Sequence, residues 1–182
     1  MRDAFTRALM REAAKDPKLT LVTGDLGFGV LKPFWETYPD QFVNAGIAEQ
    51  GMTGLAAGLA MTGRTVLTYS IGNFPTLRCI EQIRNDCAYH NANVKVVCVG
   101  GGFVYGSLGM SHHATEDMAI LRALPGEEPA YTVVAVAGCK TSKDDLSRLF
   151  QAGGLVELAG DGKTASKLYH DRYDLKKWPA GG

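Results

Sequence analysis

Apolar and polar positions along the chain change period several times, and each change marks an element. Residues 2–15 put Phe5, Leu9 and Ala13 on one side of a helix, with charged residues between them. LTLVT at 19–23 is apolar or β-branched throughout and ends in Gly24 and Asp25, as a buried strand entering a loop does. GDLGFG (24–29) is that loop, residues 31–39 predict a short helix, and FVN (42–44) predicts a strand. The smooth stretch NAGIAEQGMTGLAAGLAMTG (44–63) predicts a helix, and TVLTYS (65–70) a further strand. Residues 76–91 predict a helix with Leu77, Ile80, Ile83 and Cys87 on one face, followed by the apolar strand VKVVCVG (94–100). Beyond a glycine-rich loop, a helix over 115–124 is stopped by Pro125 and Gly126. A strand at 131–137, a helix at 142–151 and a strand at 155–158 complete the pattern. Strands alternating with helices predict an α/β fold in three layers, a mainly parallel sheet of about six strands with helices on both faces. Neither a repeat nor a linker interrupts residues 1–182, so one domain is expected, with regular structure ending near 160 and a tail over 161–182.

The stretch 44–63 organises the rest. Asn44 can cap a helix there, its side-chain oxygen accepting an unpaired first-turn amide. Gly51, Gly54 and Gly58 fall inside the predicted helix, each costing about 1 kcal/mol relative to alanine. Close approach by another element is the usual compensation. Glu49 is the single acid of the stretch. It is either a first-turn carboxylate favoured by the helix dipole, worth about 0.3–1 kcal/mol, or a buried carboxyl kept to hold or share a proton.

Composition narrows the classes. Lys plus Arg and Asp plus Glu are 19 each, which gives no electrostatic case for binding nucleic acid or an anionic membrane. No apolar run approaches the roughly 20 residues that span a bilayer. The N-terminal segment lacks the apolar core of a signal peptide. Cys79, Cys87, Cys98 and Cys139 are scattered without metal-ligand spacing, and free thiols suit a reducing cytoplasm. A cytoplasmic domain with no metal of its own is the expectation.

Candidate chemistry lies in the loops after strands. Asp25 and Leu26 follow the first strand, where open parallel sheets bind ligands; an aspartate in a turn is the plain alternative. YSIGNFPTLR (69–78) follows the third strand, and an aromatic there can stack on a flat heterocycle or simply fill the core, Tyr69 especially. His112 and His113 lie between a glycine-rich loop and a helix start. Adjacent histidines point different ways and so do not make the two-ligand metal site of helical i, i+4 histidines. As isolated residues, adjacent histidines are usually surface groups, but one placed at a site can donate a hydrogen bond or carry a proton near neutral pH. Two apparent nucleotide motifs fail. GDGKT (160–164) needs a glycine where Glu157 stands, and GGGFVYG (100–106) opens no helix and reads as a site-lining loop.

FVNAGIAEQGMTGLAAGLAMTGRTVLTYS (42–70) together with GMSHHATEDMAILRALPG (109–126) resembles the pyrimidine-binding (Pyr) domain of transketolase-like thiamine diphosphate enzymes. The resemblance implies the three-layer thiamine-diphosphate-binding fold. It also implies that Glu49 hydrogen-bonds N1′ of the cofactor's aminopyrimidine, and that Phe74 stacks on that ring with Arg78 nearby. Asp25 and Leu26 would approach the thiazolium, and His112, with His113 beside it, would meet the substrate oxygen. Spacing in the Phe74 loop departs from transketolase by at least one residue. Gly160-Asp161-Gly162 imitates the Mg²⁺-diphosphate signature, but that signature requires an asparagine some two dozen residues later, and the last asparagine is Asn93. The family's Mg²⁺ and diphosphate are therefore expected on a separate diphosphate-binding subunit, in an αβ heterodimer or α2β2 assembly, with this chain inert alone. Two-carbon ketol transfer between sugar phosphates is the implied reaction. A 2-oxo-acid decarboxylating enzyme (dehydrogenase β subunit or deoxyxylulose-phosphate synthase type) and a non-catalytic partner-binding module remain the alternatives.

Overall fold

The computed structural model describes residues 2–124, 132–136 and 154–158. The chain opens with α1 (Arg2–Ala13), β1 (Leu19–Thr23), α2 (Phe28–Thr37), β2 (Phe42–Asn44), α3 (Glu49–Met61) and β3 (Thr65–Ile71). A broken helix follows: an α turn at Asn73–Thr76, a 3₁₀ turn at Leu77–Cys79, a second α turn at Ile80–Gln82 and a π stretch at Ile83–Ala88. Then come β4 (Val94–Val99), the short α4 (Asp117–Arg122), β5 (Thr132–Val136) and β6 (Gly154–Leu158). The sheet has six strands in the order β2-β1-β3-β4-β5-β6, and every neighbouring pair is parallel.

The uninterrupted apolar strands have a simple cause: both faces of the sheet are covered. Side chains alternate along a strand. Leu19, Leu21, Leu67, Tyr69, Val97 and Val99 therefore face α1 and α2, packing with Phe5, Leu9, Leu31 and Phe34. Val22, Val66, Val94, Val96 and Cys98 face the other way, onto Met52, Ala56 and Ala57 of α3 and onto Cys79, Ile83 and Cys87 of the broken helix. Tyr69 is a core aromatic, stacked on Phe5 with ring centroids 5.5 Å apart.

Several predicted boundaries move. Helix α2 starts at Phe28 rather than 31, with its Pro33 in the interior. The helix predicted over 76–91 begins at Asn73 and breaks at Thr76 (φ −108°, ψ −80°), directly after Pro75. The break turns Cys79 inward and leaves Leu77 only half-buried. The helix predicted over 115–124 shortens to Asp117–Arg122. The helix expected at 142–151, the GDGKT stretch at 160–164, Cys139 and the tail over 161–182 lie outside the described residues.

Asn44 does not cap a helix. Helix α3 begins five residues later, after Ala48, and no side chain caps it. The expected close approach to the helix glycines is not made by any described residue. A Cβ on Gly58 would meet nothing within 4 Å, and one on Gly54 would come no nearer than 3.9 Å to Asp86 Oδ2. The face carrying Gly51, Leu55, Gly58 and Met61 is open, with Leu55 41% and Met61 54% exposed.

Candidate active site

Strand order fixes where a ligand can sit. From β1 the chain moves outward to β2, then crosses back over β1 to β3 and continues in the opposite direction. The two connections leaving the carboxyl ends of β1 and β3 therefore part from each other, opening the crevice in which α/β sheets bind ligands. The loops after β1 and β3 and the start of α3 border that crevice.

Glu49 is the first residue of α3 and is only 3% exposed. It stands at the positive end of the helix dipole and is also out of water. The loop after β1 lies against it, since a Cβ on Gly24 would stand 3.6 Å from Glu49 Cγ and 3.7 Å from Met52 Sδ. The carboxylate has a cation partner. Arg78 Nη1 donates to Glu49 Oε2 at 2.7 Å, and the Arg78 side chain is otherwise 47% exposed. A guanidinium at that distance offsets part of the cost of burying the carboxylate. Gln50 Nε2 donates to the Arg78 carbonyl at 3.1 Å, tying α3 to the broken helix through its backbone as well.

Phe74, in the first turn after β3, completes a layered contact. The Arg78 guanidinium lies over the Phe74 ring at 4.4 Å, and the His112 imidazole meets that ring edge-on at 5.0 Å. Glu49, Arg78, Phe74 and His112 thus form one continuous group, although they come from three separate connections. Asn73 Nδ2 donates to the Ser111 carbonyl at 2.6 Å and fixes the His112 loop on the Phe74 turn. The same loop is closed at its base by paired backbone bonds between Gly102 and Ala114, of 2.8 and 3.0 Å. His112 Nδ1 lies 3.0 Å from Ser111 Oγ. His113 points elsewhere, its ring 4.8 Å from Phe103 and its Nε2 3.3 Å from the Gly106 carbonyl.

Asp25 has φ +57°, a left-handed conformation that aspartate tolerates better than most residues. Asn44 holds it there, accepting the Asp25 amide at 3.0 Å and donating to the Asp25 carboxylate at 2.9 Å. Asn44 also accepts the Gly46 amide at 3.0 Å, so one side chain sets both loops that flank Glu49. Leu26 packs on the α1–α2 side and, with Thr23, Phe28, Trp35, Pro39, Phe42 and Asn44, lines a cavity of about 300 Å³.

Of the predicted site residues, Glu49, Phe74, Arg78 and His112 come together, and Asp25 lies in the loop beside them. Leu26 and His113 are directed into neighbouring packing. Two residues that organise the site, Asn44 and Asn73, carry no such signal in the sequence. Their contacts span 19 and 38 positions, beyond any local pattern. Among the described residues no cluster of three or more His, Cys, Asp and Glu side chains could hold a metal ion, and no helix is long and apolar enough to cross a membrane.

Comparison with known proteins identifies the fold and the family. An apulose-4-phosphate transketolase subunit of Phocaeicola vulgatus is 42% identical over 126 residues, which are 69% of this chain and 40% of that protein. A putative transketolase C-terminal section from Methanocaldococcus jannaschii is 41% identical over the same shares of the two chains. The chain spans 40% of the length of these two curated relatives. A solved structure described as a split-gene transketolase, an inactive beta4 tetramer, superposes with a TM-score of 0.67 at 28% identity, covering 87% of this chain and 51% of that one. The family model for the transketolase pyrimidine-binding domain matches residues 1–152, and the chain belongs to that family.

Proposed function

We propose that this chain is the pyrimidine-binding half of a two-component transketolase, forming one domain over residues 1–182. The observation that carries the reading is the buried Glu49 carboxylate, joined through the Arg78 guanidinium to the Phe74 ring at the β1/β3 crevice. A carboxylate edge next to an aromatic face fits a flat, nitrogen-bearing heterocycle. That both positions already accept a flat guanidinium supports the fit of these residues to the aminopyrimidine of thiamine diphosphate. Once bound, the cofactor supplies the nucleophilic carbon and the electron sink that ketol transfer needs.

Each residue then has a definable task. Glu49 holds or shares a proton at the ring nitrogen it faces, and Phe74 covers one face of the ring and excludes water from it. Asp25, locked by Asn44, borders the cofactor with Leu26 on the far side of its loop. His112 offers an imidazole N–H or lone pair to a substrate oxygen, and His113 braces the loop against Phe103. Mg²⁺ and the diphosphate fall to the partner, a diphosphate-binding subunit joined in an αβ or α2β2 assembly in the cytoplasm. The open Gly51–Gly58 face of α3 suits a close helix contact with such a partner.

The substrates under this reading are sugar phosphates. The deciding experiment supplies the assembled enzyme with ketose phosphates and, separately, with pyruvate. Two-carbon transfer from ketose phosphates is the expected result. Turnover of pyruvate alone would assign the chain to the 2-oxo-acid decarboxylating type instead, and failure to bind thiamine diphosphate with or without the partner would leave a partner-binding module.

A further inference from the structure

We infer that the Arg78 side chain is a built-in placeholder for the aminopyrimidine, occupying the ring's position until the ligand displaces it. The inference rests on the site reading proposed above and adds a displacement step to it. A guanidinium is flat, donates N–H groups along its edge and offers a face for stacking. Arg78 uses both properties here, donating to Glu49 Oε2 at 2.7 Å and lying 4.4 Å over Phe74. Those are the two contacts by which a carboxylate and an aromatic face recognise an aminopyrimidine, and they cannot serve both groups at once.

The surroundings fit a side chain made to leave. Glu49 is buried, so an unpaired carboxylate there would be costly, and Arg78 keeps it paired in the free chain. Arg78 itself is 47% exposed and can turn into solvent without crossing the core. Its backbone is held independently by Gln50 Nε2, so the loop stays in place when the side chain swings away.

The test is titration of 4-amino-5-hydroxymethyl-2-methylpyrimidine and of thiamine diphosphate into the full chain, into Arg78→Met and Arg78→Gln, and into Glu49→Gln. Circular dichroism confirms that each variant is folded. Removing the competing ion pair should tighten binding of the pyrimidine by about threefold to tenfold. The ¹⁵Nη signal of Arg78 in the unsubstituted chain should lose its hydrogen-bonded shift as ligand is added. Unchanged or weaker binding by both Arg78 variants overturns the placeholder and makes Arg78 a direct ligand contact or a bystander. Glu49→Gln binding as well as the unsubstituted chain overturns the site reading itself, as does no binding by any Arg78 variant at millimolar ligand.

Discussion

The imidazole of His112 meets the ring of Phe74 edge-on, with centroids 5.0 Å apart and planes inclined at 63°. Phe74 leaves the end of β3 and His112 follows β4, so this contact joins two neighbouring strand ends over the crevice. The proposed roles differ, and substitution should separate them. Phe74→Ala should raise the apparent dissociation constant for thiamine diphosphate about tenfold or more, the loss of one stacked face. His112→Ala should leave that constant nearly unchanged while lowering kcat by about 10²-fold, the low end for a general acid or base. Equal effects of both substitutions on cofactor affinity would remove His112 from substrate chemistry.

The Asn44–Asp25 clip predicts a second pair of outcomes. Asn44→Ala removes three hydrogen bonds from loops that flank Glu49, and exposed bonds of this kind are worth about 0.5–1.5 kcal/mol each. Denaturant unfolding should show a loss of about 1–2 kcal/mol once water replaces part of them. Because Asp25 has φ +57°, Asp25→Gly should be more stable than Asp25→Ala by about 1 kcal/mol. The reverse order in a melting series would mean that the loop is not held left-handed.

Gly100 follows β4 with φ +81°, and a Cβ there would run into the Tyr105 ring. Gly100→Ala should therefore combine left-handed strain of about 1–2 kcal/mol with overpacking of about 1–3 kcal/mol. The loop that carries His112 is the part it disturbs. Amide exchange should rise at Gly102 and Ala114, whose paired bonds close that loop, before it rises in the strands.

Alkaline pH should weaken the fold. Burial pushes the Cys79 thiol up to about 11, the Cys87 thiol up to about 12 and the Tyr69 phenol up to about 12. From about pH 9 upward the unfolded chain has released thiol protons that the folded chain retains, so stability falls as pH rises towards those values. Each group contributes at most about 1.4 kcal/mol per pH unit. Buried Lys95 is shifted down and acts with the opposite sign, since the unfolded chain then binds the extra proton. One such group does not cancel the thiols, and Cys87→Ala should flatten the slope while lowering stability overall. Denaturant unfolding between about pH 8 and about pH 10 measures it.

Much of the fold was legible because the sheet is buried on both faces. Largely apolar runs such as VKVVCV suit a parallel sheet covered on both faces, and apolar positions at helical spacing marked the helices between them. Boundaries were less legible where proline acts locally: Pro75 sits in the turn before the break at Thr76, and the irregular helix that results brings Cys79 inward. Glu49 stood out as the single acid on a smooth helix, while Phe74 and Arg78 were singled out through the family resemblance. That Arg78 would pair with Glu49 was not legible, since 29 residues and a strand separate them. Asn44 misled for a physical reason. A residue with a capping side chain was bound to find amides, and it found those of Asp25 and Gly46 in place of a helix start.

The claim on which the rest depends is that Glu49 acts on the aminopyrimidine ring. Deuterium exchange at C2 of thiamine diphosphate, followed by NMR in the chain assembled with its diphosphate-binding partner, reads that action without a sugar substrate. Glu49→Gln should slow the exchange by about 10²-fold or more while the melting temperature and cofactor occupancy stay close to those of the unsubstituted enzyme. Exchange as fast in Glu49→Gln as in the unsubstituted enzyme, at equal occupancy, would contradict the account.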